Sequence, residues 1–304
     1  PIINLPWNYF LFSAVAFLVV MFPSDQKLLA AVARSTEDVL AMLKLQYTPK
    51  VKLNLQGKDL SDQEFCRTLK LAECLLVTLN LSDTSFSGDG LSGMNVNLQQ
   101  LEEVRLAGCL HLTDTGLRNV LTASGSSLKQ VWASNTRISG ATFEGLQLPK
   151  LESLNLGSCW KLTDTGIRKL LTNSGSNIKL LILPNTRISD AALLGVRLPK
   201  LEILDLSFCE NLKDRGVHEF LKTNSANLTF LNLVNACVSG TMLINWIKHY
   251  ATRQLKTLRI GSHNATLRIA DEEYEDDEVD LEKWMLKGFL PNCSITVIAE
   301  QIDY

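Results

Sequence analysis

Apolar residues recur along the chain in a six-residue frame, apolar-x-x-apolar-x-apolar, that returns every 23 to 27 residues. This spacing is typical of a short strand that buries one face, and a single strand of this length cannot form a core alone. The regular return of the frame therefore predicts a solenoid of stacked strands, one from each of nine units. The frame starts at Leu101, Leu128, Leu151, Ile178, Leu201, Leu228 and Leu255, with earlier copies at Leu76 and, in degenerate form, at Lys50.

The chain also contains an internal duplication. Residues 101–150 and 151–200 align without a gap and are identical at 26 of 50 positions, and a third copy begins at Leu201. After the strand frame, each copy carries a polar pair that includes residue types able to cap a helix, which predicts a helix that returns the chain along the outer face. The pairs are Thr113 and Asp114, Thr163 and Asp164, and Lys213 and Asp214, and the predicted helices begin near Gly116, Gly166 and Gly216.

Cysteines stand at the same place in alternate units, as Cys109, Cys159 and Cys209, each three residues before Leu-Thr-Asp or Leu-Lys-Asp. With the strand frame and its period, this pattern resembles the cysteine-containing subtype of leucine-rich repeats over residues 48–265. The resemblance implies an α/β horseshoe with a parallel sheet on the concave face and helices on the convex face. Strands about 4.8 Å apart would separate these cysteines by about 10 Å, so we expect buried free thiols.

The third and fifth positions of each strand frame are predicted to face solvent on the concave side of the sheet. Five of them are large and apolar: Trp132, Leu180, Ile182, Ile203 and Phe230. An exposed apolar stripe marks a binding site, with the tryptophan near its middle as the expected anchor; alternatively, another part of the chain covers it. The predicted protein-binding residues are Glu103, Arg105, Gln130, Trp132, Asn155, Leu180, Ile182, Ile203, Asp205, Phe230, Asn232 and Arg259.

Charge is nearly balanced, with 30 basic and 32 acidic residues and a net charge of −2, so no overall field attracts nucleic acid. Residues 271–282 nevertheless contain nine acids and no base. We expect these residues to form a solvated loop within a C-terminal cap, residues 266–304, whose strand lies around Ser294 to Ile298. Alternatively, the acidic loop docks a basic partner. Seven cysteines without a C-x-x-C pair favour a reducing compartment, cytoplasmic or nuclear, with an organelle membrane as the alternative.

Catalytic and cofactor motifs are weak. Gly88, Gly90 and Gly93 match the G-x-G-x-x-G spacing of dinucleotide-binding loops, but the repeat explains them better, since Gly88 aligns with Gly140 and Gly93 with Gly145. The four histidines are scattered over different units, and the sequence contains no H-E-x-x-H or G-x-S-x-G motif. We therefore expect a protein with no catalytic residues, no cofactor and no bound metal.

The first 24 residues carry no charged side chain. Leu-Pro-Trp at residues 5–7, the apolar run that follows and the segment 28–35 resemble an F-box, the helical motif that often precedes repeats of this subtype. The resemblance implies that residues 1–47 dock onto the adaptor subunit of a cullin-RING ubiquitin ligase while the repeats hold the substrate. The docking residues would be Leu5, Pro6, Tyr9, Phe10, Phe17 and Leu18.

Two other interpretations of residues 1–47 remain open. They can form a helical cap over the edge of the first repeat, or a helix in or on a membrane. The second would make the chain an anchored structural or accessory subunit of a large protein complex. Because all three interpretations are interaction roles, the sequence predicts a non-enzymatic protein-binding adaptor.

Overall fold

A computed structural model describes residues 51–73, 76–251, 254–261, 266–267, 279–280, 290 and 292–298. The strand frames form one ten-stranded sheet in which every neighbouring pair is parallel and every strand lies beside the next one in the chain, up to β9. This confirms the predicted solenoid. The strands are β1 (Val51–Asn54), β2 (Leu76–Asn80), β3 (Glu103–Arg105), β4 (Gln130–Trp132), β5 (Ser153–Asn155), β6 (Leu180–Ile182), β7 (Ile203–Asp205), β8 (Phe230–Leu233) and β9 (Thr257–Gly261).

The tenth strand of this sheet lies in the predicted C-terminal cap. It pairs in parallel with β9, with Ser294 opposite Thr257 and Ile298 opposite Gly261. It therefore continues the sheet for one more position. The remaining strands are β10 (Thr266–Leu267) and β11 (Val279–Asp280), which form a separate antiparallel pair, and β12 (Ser294–Ile298), the tenth strand of the main sheet.

Helices on the convex side alternate in length with the spacing of the repeats. From Leu101 to Leu201, the 27-residue repeats contain eleven-residue helices and the 23-residue repeats contain a single turn. The 23-residue repeats have four residues fewer, about the length of one helical turn, so their connections have less room for a helix. The helices are α1 (Asp62–Ala72), α2 (Asp114–Ser124), α3 (Asp164–Ser174), α4 (Asp190–Leu193), α5 (Asp214–Asn224) and α6 (Gly240–His249).

The helix starts differ from the sequence prediction. The helices α2, α3 and α5 begin at the aspartate, two residues before the glycines that were expected to mark them. Thr113 and Thr163 cap as expected, since their hydroxyl oxygens accept from the backbone N–H of Gly116 at 2.8 Å and of Gly166 at 3.2 Å. Lys213 makes no side-chain cap, because an ammonium group has no acceptor to offer.

The aspartates that begin the helices bind the next repeat. Asp164 Oδ1 accepts from the backbone N–H of Ser189 at 2.7 Å, and Asp214 Oδ1 accepts from that of Ser239 at 2.6 Å. Each carboxylate thereby accepts from a backbone donor about 25 residues further along the chain. The sequence alone predicts instead that these aspartates cap their own helices. These hydrogen bonds tie each repeat to its neighbour on the convex side.

Leucines of the strand frames fill the interior of the solenoid. In the repeat that begins at Leu151, the side chains of Leu151, Leu154 and Leu156 are fully buried. Burial of each contributes about 1.5 to 3 kcal/mol relative to exposure, and the neighbouring repeats supply the contacts. The core is therefore continuous along the stack.

A row of alternating threonines and cysteines runs through this core. Thr136 Oγ1 and Cys159 Sγ both donate to the carbonyl oxygen of Ala133, at 2.8 and 3.2 Å, and the two side chains lie 3.3 Å apart. The same arrangement joins Thr84 to Cys109 and Thr186 to Cys209. Cys109, Cys159 and Cys209 are buried free thiols, as predicted, and burial raises the pKa of each.

Candidate functional site

Two rows of side chains cross the concave face in the register that the sequence predicts. Because the sheet is parallel without shifts from β2 to β9, the third frame positions lie opposite one another and so do the fifth. The third-position row runs Glu103, Gln130, Ser153, Leu180, Ile203, Phe230 and Thr257. The fifth-position row runs Arg105, Trp132, Asn155, Ile182, Asp205, Asn232 and Arg259.

Exposure along these rows is smaller than the sequence suggests. Arg105 is exposed, but most members of both rows are half-buried, since the concave surface brings neighbouring side chains together. Asn232, which was expected to face solvent, is only 6% exposed, and its Nδ2 donates to Asp205 Oδ2 at 3.0 Å. Its role is to hold an acid on the neighbouring strand in place.

The apolar residues form a block with an outlying tryptophan. Leu180, Ile203 and Phe230 lie directly opposite one another on β6, β7 and β8, so they form one uninterrupted row of about 10 Å. Trp132 was expected near the middle of the stripe, but the polar strand β5 separates it from this row. Its indole Nε1 donates to Gln130 Oε1 at 3.2 Å, which leaves the ring as an apolar surface with a satisfied donor.

The glycine motif at residues 88–93 is part of the scaffold. The N–H groups of Ser87, Gly88 and Gly90, which could hold a phosphate, donate instead to the carboxylate of Asp62 at 2.8 to 3.0 Å. Gly88 has a φ of 77°, and a Cβ there would lie 2.8 Å from the backbone of Gly116 in α2. Close packing of two repeats therefore explains the glycine.

Metal and membrane sites receive no support from the described residues. Across these ranges, no group of three or more His, Cys, Asp or Glu side chains comes together as a set of metal ligands. In the same part of the chain, none of the helices combines the length and apolar character needed to cross a membrane.

Three exposed apolar residues escaped the sequence analysis. Leu110, Trp160 and Phe208 are 48%, 49% and 50% exposed, whereas the five apolar residues predicted on the concave face are half-buried. The three exposed residues follow the carboxyl ends of β3, β5 and β7. Lys161 places its Nζ 5.0 Å from the centre of the Trp160 ring. The repeat alignment could have identified one of them, because Phe208 occupies the position that is Gly108 and Ser158 in the preceding copies, where a large apolar residue is unexpected.

Two predicted sites lie outside the described residues. One is the docking segment with Leu5, Pro6, Tyr9, Phe10, Phe17 and Leu18, and the other is the acidic segment 271–282, apart from Val279 and Asp280. Their interpretation rests on the sequence.

Comparison with known proteins agrees with the fold. A sequence profile of the family Leucine Rich repeat matches residues 147–171 and 197–220. A chain of the crystal structure of the Rad7 and Elc1 complex in yeast superposes with a TM-score of 0.52 and 15% identity, over 84% of this chain and 72% of that chain. No curated protein matches the sequence. At this level of identity the likeness concerns the fold alone, and together with the repeats it shows a leucine-rich-repeat solenoid.

Proposed function

From this leucine-rich-repeat solenoid, we propose a non-enzymatic adaptor that holds a protein partner on its concave face. The observation that carries the proposal is the uninterrupted apolar row of Leu180, Ile203 and Phe230 on three neighbouring strands. All three side chains are half-buried in the isolated chain, so a partner can remove further apolar surface from water. Complete burial of such a side chain contributes at most about 1.5 to 3 kcal/mol.

Polar residues beside this row suit recognition of a specific partner. Asp205 is fixed by its hydrogen bond from Asn232 and accepts from the hydroxyl of Ser207 at 2.7 Å, so its carboxylate is oriented before a partner arrives. A fixed polar group next to an apolar patch costs little conformational entropy on binding. The concave face therefore combines an apolar contact area with preorganised hydrogen-bonding groups.

The test is substitution of the two aromatic residues. Trp132→Ala and Phe230→Ala should each weaken partner binding by about 1 to 4 kcal/mol, with little change in the free energy of unfolding. The partner would be identified by isotope-ratio affinity capture with wild type and variants, and its dissociation constant then measured with purified protein. If both substitutions sharply lower the melting temperature and leave binding intact, the protein itself covers the row.

The chain offers a matched control on one strand. Leu180 belongs to the concave row, whereas the adjacent Leu181 is fully buried in the core. Leu181→Ala should destabilise the fold by about 2 to 5 kcal/mol, while Leu180→Ala should affect binding more than stability. The same truncation on opposite faces thus separates binding from folding.

We further propose that residues 1–47 dock this receptor onto a ubiquitin-ligase adaptor, as an F-box would. The support is the sequence resemblance of residues 5–35, together with a similar fold in a chain that was crystallised in a two-protein complex. The chain should then co-purify with the ligase adaptor, and a charged residue at Leu5 or Leu18 should abolish this while the repeats stay folded. Partitioning of the wild type into membranes without adaptor would instead favour an anchored subunit of a large complex.

A further inference from the structure

The carboxyl ends of the strands form a second surface, apart from the concave rows. Here one residue of each repeat has left-handed backbone, and its N–H donates to a carbonyl oxygen of the next repeat. Asn135 donates to Gly157, Ser158 to Pro184 and Asn185 to Ser207, all at 2.7 to 2.8 Å. These backbone hydrogen bonds fix the order and spacing of the loops along this edge.

Two residues after the left-handed position, a row of exposed side chains follows the edge. Within it, apolar and basic residues alternate over four successive repeats, as Leu110, Arg137, Trp160 and Arg187. We call these four residues and Phe208 the carboxyl rim. About 10 Å separates members two repeats apart, since parallel strands lie about 4.8 Å apart.

Phe208 occupies the left-handed position itself. Its φ is 58°, and the other residues in this row are glycine, asparagine, aspartate or serine, for example Gly108, Asn185 and Asn235. Asn and Asp tolerate this conformation well, whereas a bulky side chain is strained in it. Its N–H donates to the carbonyl oxygen of Val234 at 2.7 Å, as in the other repeats, but its side chain is 50% exposed and adds nothing to the core. Such strain is commonly retained at functional sites.

Charged residues in the loops along this edge are mostly basic. The loops 107–113, 134–138, 157–163, 184–188 and 207–213 contain four bases, Arg137, Lys161, Arg187 and Lys213, against one acid, Glu210. Among the described residues, the guanidinium groups of Arg137 and Arg187 form no ion pair.

The opposite edge of the sheet gives the contrast. There Lys129 pairs with Glu102 at 3.0 Å and Lys179 with Glu152 at 2.9 Å. Acids and bases alternate along that edge and neutralise one another. At the carboxyl rim, by contrast, Arg137 and Arg187 lie without an ion pair to any described residue, beside the exposed Trp160 and Phe208.

We infer that the carboxyl rim docks an acidic segment of a partner protein that carries a carboxylate at every third residue and large apolar side chains between. In polyproline II conformation, residues three apart point the same way and lie about 9.3 Å apart. This spacing matches the distance of about 10 Å between Arg137 and Arg187, two repeats apart. Apolar side chains that flank the carboxylates of the segment then contact Trp160, which lies between the two arginines, and Phe208, which lies in the repeat after Arg187.

A peptide fits this surface better than a nucleic acid does. Nucleic-acid affinity grows with the number of phosphates that are neutralised, and the rim offers few bases on a chain whose net charge is −2. Leu110 adds apolar contact for an aliphatic side chain and gives no stacking surface for a base.

The test begins with a displayed random-peptide library selected on the full chain and counter-selected on the double variant Arg137→Glu, Arg187→Glu. Enriched peptides should carry Asp or Glu at i and i+3 with large apolar residues between. Fluorescence anisotropy of a labelled enriched peptide should then show binding that falls with rising salt and weakens about tenfold or more in the double variant. Phe208→Asn should weaken it about fivefold or more while the fold is kept.

Several results would overturn the inference. These are the absence of enriched peptides, enriched peptides without the acidic spacing, equal affinity of a peptide with lysine in place of each acid, and tighter binding of single-stranded RNA. Phe230→Ala serves as the matched control, because it alters the concave row and should leave the peptide's affinity unchanged. Failure at the rim and failure of the proposed concave site are therefore distinguishable.

Discussion

The left-handed backbone of Phe208 predicts how one substitution changes the stability of the fold. Phe208→Asn places there the residue type that Asn185 and Asn235 contribute to the same left-handed row. Relief of the strained backbone should stabilise the fold by about 1 kcal/mol, because a bulky aromatic side chain is costly in this conformation and asparagine tolerates it. Urea unfolding of wild type and variant, with an unchanged slope, would measure the difference.

The reverse substitution provides the control. Asn185→Phe should destabilise the fold by a comparable amount, since it introduces the same strain one repeat earlier in the hydrogen-bonded row. A lower midpoint for Phe208→Asn than for the wild type would contradict the claim that the phenylalanine is strained.

Thiol reactivity follows burial. Cys237 is exposed, whereas Cys109, Cys159 and Cys209 are buried, and burial raises the pKa of these three thiols. Since the thiolate is the reactive form, a bulky thiol reagent at neutral pH should label Cys237 rapidly and the three buried cysteines only after unfolding. Peptide mass mapping assigns each label, and rapid native labelling of all three buried positions would be incompatible with the packed row.

Between the elements, the hydrogen bonds from the turn at residues 87–90 to Asp62 make the stability of the fold depend on pH. Burial alone raises the pKa of Asp62, but the hydrogen bonds from the N–H groups of Gly88, Ser87 and Gly90 outweigh it, so the pKa lies below its usual value. Its contribution to stability is thus complete above the unfolded pKa of about 3.9 and is lost as the pH falls through the folded pKa.

Asp62→Asn should therefore lower the free energy of unfolding by about 1 to 2 kcal/mol at neutral pH and by less in acid, since a neutral amide accepts more weakly than a carboxylate. The measurement is urea unfolding at several pH values. Asp59→Asn, at an exposed position nearby, should change the free energy of unfolding neither at neutral pH nor in acid. Equal destabilisation by Asp62→Asn at all pH values would show that the carboxylate charge is irrelevant to the turn.

The positions of the strands could be predicted from the sequence more accurately than the starts of the helices. Strands such as β5 follow from the leucine frame because burial on one face imposes the spacing. Helix starts were placed two residues late because Gly116 was treated as a boundary, whereas it is helical and packs against the backbone of Gly88. The role of Asp164 was missed because its partner, Ser189, lies 25 residues away in the sequence.

The two surfaces show the same limit. The concave rows follow from alternation along each strand, but the separation of Trp132 from the apolar row depends on what β5 places between them. The carboxyl rim depends on left-handed backbone at Phe208, a residue type that gives no local signal for that conformation. Only the column it shares with Gly108 and Ser158 could have indicated it.

At the scale of the whole molecule, each repeat receives stability from its neighbours. Interior strands β5 and β6 have a parallel partner on both sides, whereas β1 pairs only with β2 among the described strands. Amide hydrogens of β1 should therefore exchange about tenfold or more faster than those of β6 in the native protein. Equal protection, measured by hydrogen exchange and mass spectrometry, would show that residues 1–50 cover this edge as a cap.

The alternation of long and short repeats has a consequence for insertions and deletions. Loss of residues 151–200 would bring Lys129 beside Glu202 and Thr136 beside Cys209, which keeps a base beside an acid and a threonine beside a cysteine. Loss of residues 128–150 alone would instead set Glu102 against Glu152 and Cys109 against Cys159. Within residues 101–227 the stack can therefore gain or lose repeats without mismatch in pairs, so the fifty-residue block is the unit in which this part of the protein can be duplicated or deleted.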